Sequence, residues 1–455
     1  MRGPDLTRLR ALGERIAGSV PVGRRELLLV AAAIALGVAL RLAYVIITKG
    51  HVLVGDEPDY DTQGRFLANG QFLWGTRPTG EPHETLWKAP GYPVWVGVWY
   101  WIVGIGFDKV LAIQAVLLGS LTIGLTWLLG RRLFNPRVGI LAAAVVAVYP
   151  FAWQFEVRLY PESVATPLML LLLLVVLGHY PTPRRAAVTG ALMGVIALTR
   201  PSSLMLLAGI ALAWWIAAGW KRGTAMTAVT VGVMVLVVAP WTYRNYDIQG
   251  GFVPISAQDA AGYGTFNDDA ANDPEKPYIW RPQPASVRDL EARLPQLTET
   301  EFRAELRELM FDYIEEHPES VPQAFFWNGI TRLWDIRRPS HVLDEVPFAG
   351  RSEALTWIGL VMYWVLLPLA LVGLWRARAR RDLVIPILGI ALASSVVFTL
   401  DATTRYRAPF EPVIAILACS VIVALWARWR KRGDEPSADP LSADGPREHA
   451  PAGRS

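Results

Sequence analysis

The sequence is poor in the residues on which soluble enzymes rely. Only 18% of its 455 residues are charged, against 53% hydrophobic. A soluble chain of this length would be more polar and would divide into two or three domains. Its one cysteine, Cys419, sits inside an apolar run. That excludes an intrachain disulfide and a cysteine-based zinc site. The sequence has no phosphate-binding glycine loop, no short-period repeat and no Asn-x-Ser/Thr sequon. A soluble globular enzyme, a disordered chain and a fibrous repeat are all excluded, and no nucleic-acid partner is expected.

What the sequence has in quantity is long apolar runs and tryptophan. The runs approach the roughly 20 residues that a bilayer-spanning helix needs. About ten spans are expected, at 26–47, 109–130, 137–150, 163–178, 186–199, 202–219, 224–240, 355–374, 383–400 and 410–427. The first lacks a cleavage pattern after it and is read as an uncleaved anchor. Many of the 19 tryptophans flank the runs, among them Trp74, Trp87, Trp95, Trp99, Trp101, Trp241, Trp375 and Trp426, as an interfacial belt requires. Short loops and tails on one side carry 21 Lys/Arg, against four on the other. The positive-inside bias places both termini in the cytoplasm and favours an even number of spans. The short loops and missing sequons point to a prokaryotic plasma membrane.

Between a cytoplasmic segment 1–25 and a disordered tail 433–455, the region 26–427 reads as one transmembrane domain with two large outer loops, 48–108 and 241–354. An eleventh span at 89–108 would reverse every later loop. A helix lying at the interface over 90–104 is expected instead. In the second loop, Phe302, Leu306, Leu309, Met310 and Tyr313 form a helical stripe, with Thr298 as N-cap and Glu301 three residues on. The amphipathic stretch Phe325–Trp334 is expected to lie on the membrane. Gly190 and Gly194 suit a tight helix crossing.

Ionisable groups at membrane depth are costly and mark function. Here they gather at one face: Asp56 and Glu57, Lys88, Arg158, Tyr160 and Glu162, Arg200, Arg244 and Asn245, and Arg405, Tyr406 and Arg407. A carboxylate at a membrane mouth takes a proton from an attacking hydroxyl. Arginine and lysine hold a phosphate whose charge grows as a bond to it breaks. A lipid-phosphate sugar is such a donor, and its tail needs a membrane groove beside the site.

The first outer loop, Gly55-Asp56-Glu57-Pro58-Asp59-Tyr60 followed by Lys88-Ala89-Pro90-Gly91-Tyr92-Pro93, resembles that of GT-C-fold membrane glycosyltransferases of the family 39 type. Protein O-mannosyltransferases and the lipid A aminoarabinose transferase are of this type. The resemblance extends over about 26–427 through Arg131-Arg132-Leu133-Phe134, Tyr160-Pro161-Glu162, Leu198-Thr199-Arg200-Pro201, Pro240-Trp241 with Arg244-Asn245, and Arg405-Tyr406-Arg407. It implies an all-α polytopic GT-C fold. It also implies inverting transfer from a polyprenyl-phosphate sugar to a glycan, lipid or protein acceptor on the extracytoplasmic face, in contact with membrane lipids. Asp56 matches the family's base or acceptor-positioning acid, and Lys88 its phosphate-holding lysine. Glu57 and Glu162 stand as further catalytic candidates, and Arg244, Arg405 and Arg407 as phosphate ligands. Tyr60, His83, Arg158, Tyr160, Arg200, Asn245 and Tyr406 stand as additional substrate contacts.

Each of these has a plain structural alternative: an acidic turn, a helix cap, a snorkelling lysine or a headgroup contact. Arg41, inside the first span, is expected to snorkel. No cofactor is required by the sequence. A divalent metal is conceivable at His51, His83 and Glu84, though the usual ligand spacing is missing. A transporter or flippase remains the alternative function, opposed by the scarcity of mid-span charge. A non-catalytic scaffold or a glycan ligase using a pyrophosphate-linked donor is a third.

Overall fold

The computed structural model describes residues 21–76 and 81–433. The expected tail beyond Gly433, and all but the end of the N-terminal segment, lie outside the described residues. Among the described residues the chain is mainly helical, as expected, with one small hairpin that the sequence did not announce. In order come α1 (Arg24–Ile47), α2 (Glu57–Ala68), β1 (Trp74–Thr76), β2 (Pro82–Glu84), α3 (Gly91–Val103), α4 (Phe107–Leu133), α5 (Pro136–Val148), α6 (Glu162–Val176), α7 (Pro183–Thr199) and α8 (Leu206–Gln249). Then follow α9 (Glu299–Glu316), α10 (Glu353–Arg376), α11 (Arg381–Val397) and α12 (Glu411–Gly433). The strands pair antiparallel, with Gly75 opposite His83.

Among the described residues, five helical stretches are long and apolar enough to cross a membrane: Arg24–Ile47, Phe107–Leu133, Pro201–Gln249, Glu353–Arg376 and Thr404–Arg430. The third contains two of the expected segments. Gly219 has φ +76° and breaks the helical path of α8 there, where glycine meets no steric cost. Helix ends follow their sequence signals. Asn135 accepts from Val138 N and Thr182 from Arg185 N, each with proline at the first helical position. In α9, Thr298 and Glu301 form the expected capping box.

The helices pack through small residues. A Cβ on Gly190 would lie 2.4 Å from Thr230 O, and one on Gly194 would lie 2.6 Å from Val237, so α7 and α8 cross tightly, as expected. α3 presents Tyr92, Val96 and Tyr100 inward and leaves Trp101 and Ile102 exposed. Gln114 of α4 ties it down, accepting from Tyr92 Oη at 2.8 Å and Trp95 Nε1 at 3.0 Å.

Two expectations change, at Arg41 and Trp241. Arg41 does not snorkel: it is fully buried, and its Nε donates to Glu156 Oε2 at 2.7 Å. Gly37 and Gly119 leave room for it, since a Cβ on either would come within about 3 Å of the arginine. The stretch Phe325–Arg332 is a π-helical segment packed on α11, with Asn328, Gly329, Thr331 and Arg332 buried and Phe326 exposed. Gly329 sits so close to Ser395 O that a Cβ would fall 2.2 Å from it. Trp241 is buried rather than belted, and its Nε1 donates to Ile255 O at 2.5 Å.

Candidate active site

Four chain reversals converge on one chamber. Asp56 sits in the turn after α1, before the first helical residue of α2. Glu162 opens α6, where a carboxylate suits the positive end of the helix dipole. Arg200 ends α7 in extended conformation (φ −149°, ψ 96°), as the residue before Pro201 must. Arg405 lies on the single helical turn Thr404–Arg407 between α11 and α12. Lys88 reaches the group because α3 starts hard against the end of α7. A Cβ on Gly91 would lie 2.5 Å from Thr199 Oγ1 and 2.9 Å from Thr199 Cα, so glycine is what fits.

The charges interlock. Lys88 Nζ lies 2.6 Å from Asp56 Oδ1 and 3.2 Å from Asp59 Oδ2. Arg405 Nη1 donates to Asp56 Oδ2 at 2.7 Å, and its Nε donates to Glu162 Oε1 at 2.9 Å. Arg200 Nη2 is 3.5 Å from the same Glu162 oxygen. Aromatic rings back the cations: Arg405 lies 4.0 Å over Tyr160, Lys88 5.5 Å over Tyr60, and Arg200 5.4 Å over Tyr406. Burial opposes ionisation of Asp56, but Lys88 and Arg405 overcome it and hold the carboxyl well below the usual carboxylate range. Burial likewise opposes the charge on Lys88, and Asp56 reverses that, raising the ammonium above its ordinary value.

Asp56, Tyr60, Glu162, Arg200, Arg405 and Tyr406 line a cavity of about 440 Å³, and Lys88 stands just behind its wall. Its size is that of a ligand pocket. Part of the wall is apolar, from Leu204, Ile255, Val397, Phe398 and Leu400. Asp56 keeps 31% of its side chain exposed, whereas Glu162 keeps 1%.

Other expected site residues lie elsewhere. Glu57 is fully buried behind Asp56, paired with Arg158 at 2.5 Å and accepting from Val54 N and Leu159 N. Arg407 is fully buried between Asp335 Oδ2 at 2.9 Å and Glu411 Oε1 at 2.7 Å, and it locks the Arg405 turn in place. Arg244 donates to Thr85 O and Leu73 O and so fastens the second outer loop to the first, whereas Asn245 donates to Val253 O within the second loop. His83 pairs with Glu299 at 2.7 Å, and His51 lies 3.5 Å from Glu57. Among the described residues, no group of three or more His, Cys, Asp or Glu is placed to hold a metal ion.

Sequence reasoning missed several members of the chamber. Asp401 lines it, and its Oδ2 accepts from Tyr406 Oη. Burial pushes its carboxyl up to about 6. Its position four residues before Arg405, in a loop already singled out, was the available signal. Asp59 and the loop-two residues Ser256 and Gln258 carried none, because polar residues of a long loop reveal no pairing.

Comparison with known proteins matches this architecture. Residues 88–243 match the family model described as dolichyl-phosphate-mannose-protein mannosyltransferase. No curated protein matches the chain. Among solved structures, the oligosaccharyltransferase of Archaeoglobus fulgidus, complexed with zinc and sulfate, shares 16% identity at a TM-score of 0.52, over 89% of this chain and 50% of that one. The same organism's AglB, with an inhibitory peptide and dolichol-phosphate, aligns at 16% identity and a TM-score of 0.50, over 91% and 52%. ArnT of Cupriavidus metallidurans, bound to undecaprenyl phosphate, shares 18% identity over 85% and 77%, with a TM-score of 0.38. The chain spans about half the length of the oligosaccharyltransferases it matches. It is thus a polytopic helical membrane protein of the GT-C fold, similar over residues 88–243 to the dolichyl-phosphate-mannose-protein mannosyltransferase family.

Proposed function

We propose that the protein is an inverting glycosyltransferase that moves a sugar from a polyprenyl-phosphate donor to an acceptor hydroxyl on the extracytoplasmic face of the membrane. The observation that carries this reading is the cavity-facing Asp56 carboxylate held between Lys88 and Arg405, with Arg200 alongside. Asp56 takes the proton of the acceptor hydroxyl. The acceptor oxygen bonds to C1 of the sugar as the C1–O bond to phosphate breaks on the opposite side. The leaving lipid phosphate gains a negative charge, and Lys88, Arg405 and Arg200 are arranged where that charge develops. The apolar part of the cavity wall suits the first isoprene units of the lipid. Arg244 and Arg407, held by other partners, support the chamber from outside it. The basic clusters of the opposite loops support cytoplasmic termini in a prokaryotic plasma membrane.

The test is direct. Purified protein is reconstituted in liposomes with a panel of radiolabelled polyprenyl-phosphate sugars and a crude envelope acceptor fraction. Label leaves the lipid for the acceptor with at least one donor, and Asp56→Asn at normal membrane expression abolishes the transfer. Undiminished transfer by Asp56→Asn overturns the assignment.

A further inference from the structure

Asp56 as it stands is a poor base. Each of its oxygens is taken by a different cation, Lys88 at 2.6 Å and Arg405 at 2.7 Å. Arg405 lines the cavity and Lys88 lies against Asp56 just behind its wall, so a phosphate that replaced the carboxylate would meet both cations. Carboxylate and phosphate therefore compete for one site. We propose that Asp56 is an internal counter-ion that the donor phosphate displaces, so that donor binding itself frees the base. This inference rests on the glycosyltransferase reading and adds an order of events to it.

The balance of charge in the chamber supports the exchange. Asp56, Asp59 and Glu162 offset Lys88, Arg200 and Arg405, and Asp401, which accepts from Tyr406 Oη, brings a fourth carboxyl to the cavity. An entering phosphate diester adds a negative charge, and one acid must give up its partners. Glu162 cannot withdraw easily: it is 1% exposed and bound to two arginines. Releasing it would leave an uncompensated buried charge. Asp56 has 31% of its side chain exposed to the cavity and makes no capping hydrogen bond to α2. Leaving the cations costs it no other partner. The residue before it, Gly55, stands at φ +61°, which gives the turn backbone freedom that a side-chain-bearing residue would restrict.

A cycle follows in which atoms and charges balance. Phosphate oxygens take over Lys88 and Arg405, and Asp56 loses the two groups that suppressed its basicity. It accepts the acceptor proton as the C1–O bond to phosphate breaks and the C1–O bond to acceptor forms. Now neutral, it does not compete with the lipid phosphate dianion. When the proton passes to water, the carboxylate returns to Lys88 and Arg405 and drives the lipid phosphate out. A donor entering an empty site finds its base masked until its phosphate is seated. This protects the reactive sugar from premature hydrolysis.

The decisive measurement is affinity, where loss of a competitor and loss of a contact have opposite signs. Undecaprenyl phosphate is titrated into detergent-purified wild type, Asp56→Asn, Asp56→Ser and Lys88→Ala, with undecaprenol as the uncharged control, and binding is read by native mass spectrometry. Asp56→Asn and Asp56→Ser bind the phosphate lipid about tenfold more tightly than wild type, within the usual range of coupling between sites. Lys88→Ala binds it more weakly, and undecaprenol shows no such ordering. If the wild type binds the phosphate lipid while both Asp56 variants bind it equally or less well, the counter-ion exchange is wrong and the glycosyltransferase reading stands. If no form prefers the phosphate lipid over undecaprenol, both fall together.

Discussion

Arg405 and Asp56 stand 349 residues apart in the sequence and 2.7 Å apart in space. A guanidinium from the last inter-helix loop thus closes onto a carboxylate from the first. Because the same guanidinium also bonds Glu162 at 2.9 Å, it ties the two acids together. Arg405→Ala removes a phosphate ligand and leaves Glu162 with only the longer Arg200 contact. Transfer is expected to fall by about a hundredfold or more, the cost of deleting one charge-stabilising donor. Arg405→Lys keeps the charge but not the fork, and falls between. Initial rates at saturating donor check the ordering.

How much of this was legible beforehand follows the range of each signal. Helix positions were readable because apolar runs, prolines and caps act locally, as at Thr298 and Asn135. Asp56, Lys88, Glu162, Arg200 and Arg405 were readable as candidates because charge at membrane depth is rare. Which of them share a chamber was not readable, since pairing across hundreds of residues is set by packing. Arg407 and Arg405 look alike in the sequence, yet helical rotation sends one to Glu411 and Asp335 and the other to Asp56. Arg41 was misread for the same reason: its partner, Glu156, lies 115 residues away.

That buried pair gives a stability prediction. Arg41→Ala leaves Glu156, 2% exposed, without its charge partner. A cost of about 3–5 kcal/mol is expected. The double variant Arg41→Met with Glu156→Gln removes both charges and recovers most of the loss. Thermal unfolding in detergent, read on all three proteins, gives the comparison. Equal destabilisation of single and double variants would count against an ion-pair role.

The crossing of α7 and α8 can be probed without touching a charge. Gly190→Val places a side chain against Thr230 O and Val233, where even a Cβ has no room. Overpacking of this kind costs about 1–3 kcal/mol. Because α7 ends at Arg200, the strain reaches the chamber, and donor KM should rise along with the loss of thermal stability. Gly232→Val on the partner helix α8, where a Cβ meets nothing within 4 Å, is the control and leaves both unchanged.

Asp401 supplies a pH signature outside the spans. Burial raises its carboxyl to about 6, well above the usual carboxylate range, and Glu345 adds to the rise, while the hydrogen bond from Tyr406 pulls the other way. A carboxyl whose folded pKa exceeds its unfolded one binds its proton more tightly in the folded state. Its contribution to stability is therefore full below about pH 4, falls as pH rises towards 6, and has gone above that. Asp401→Asn cannot titrate and should flatten this part of the profile. Across pH 4 to 7, the wild type should lose more unfolding temperature than the variant, and the difference between the two curves should level off above pH 6. Parallel curves would show that Asp401 is already ionised in the folded chamber at pH 4. Activity adds a second reading. Asp401 borders the same cavity as Arg405, so its ionisation near pH 6 places another negative charge beside the phosphate ligands. Donor KM in the wild type should rise through that pH, and in Asp401→Asn it should not.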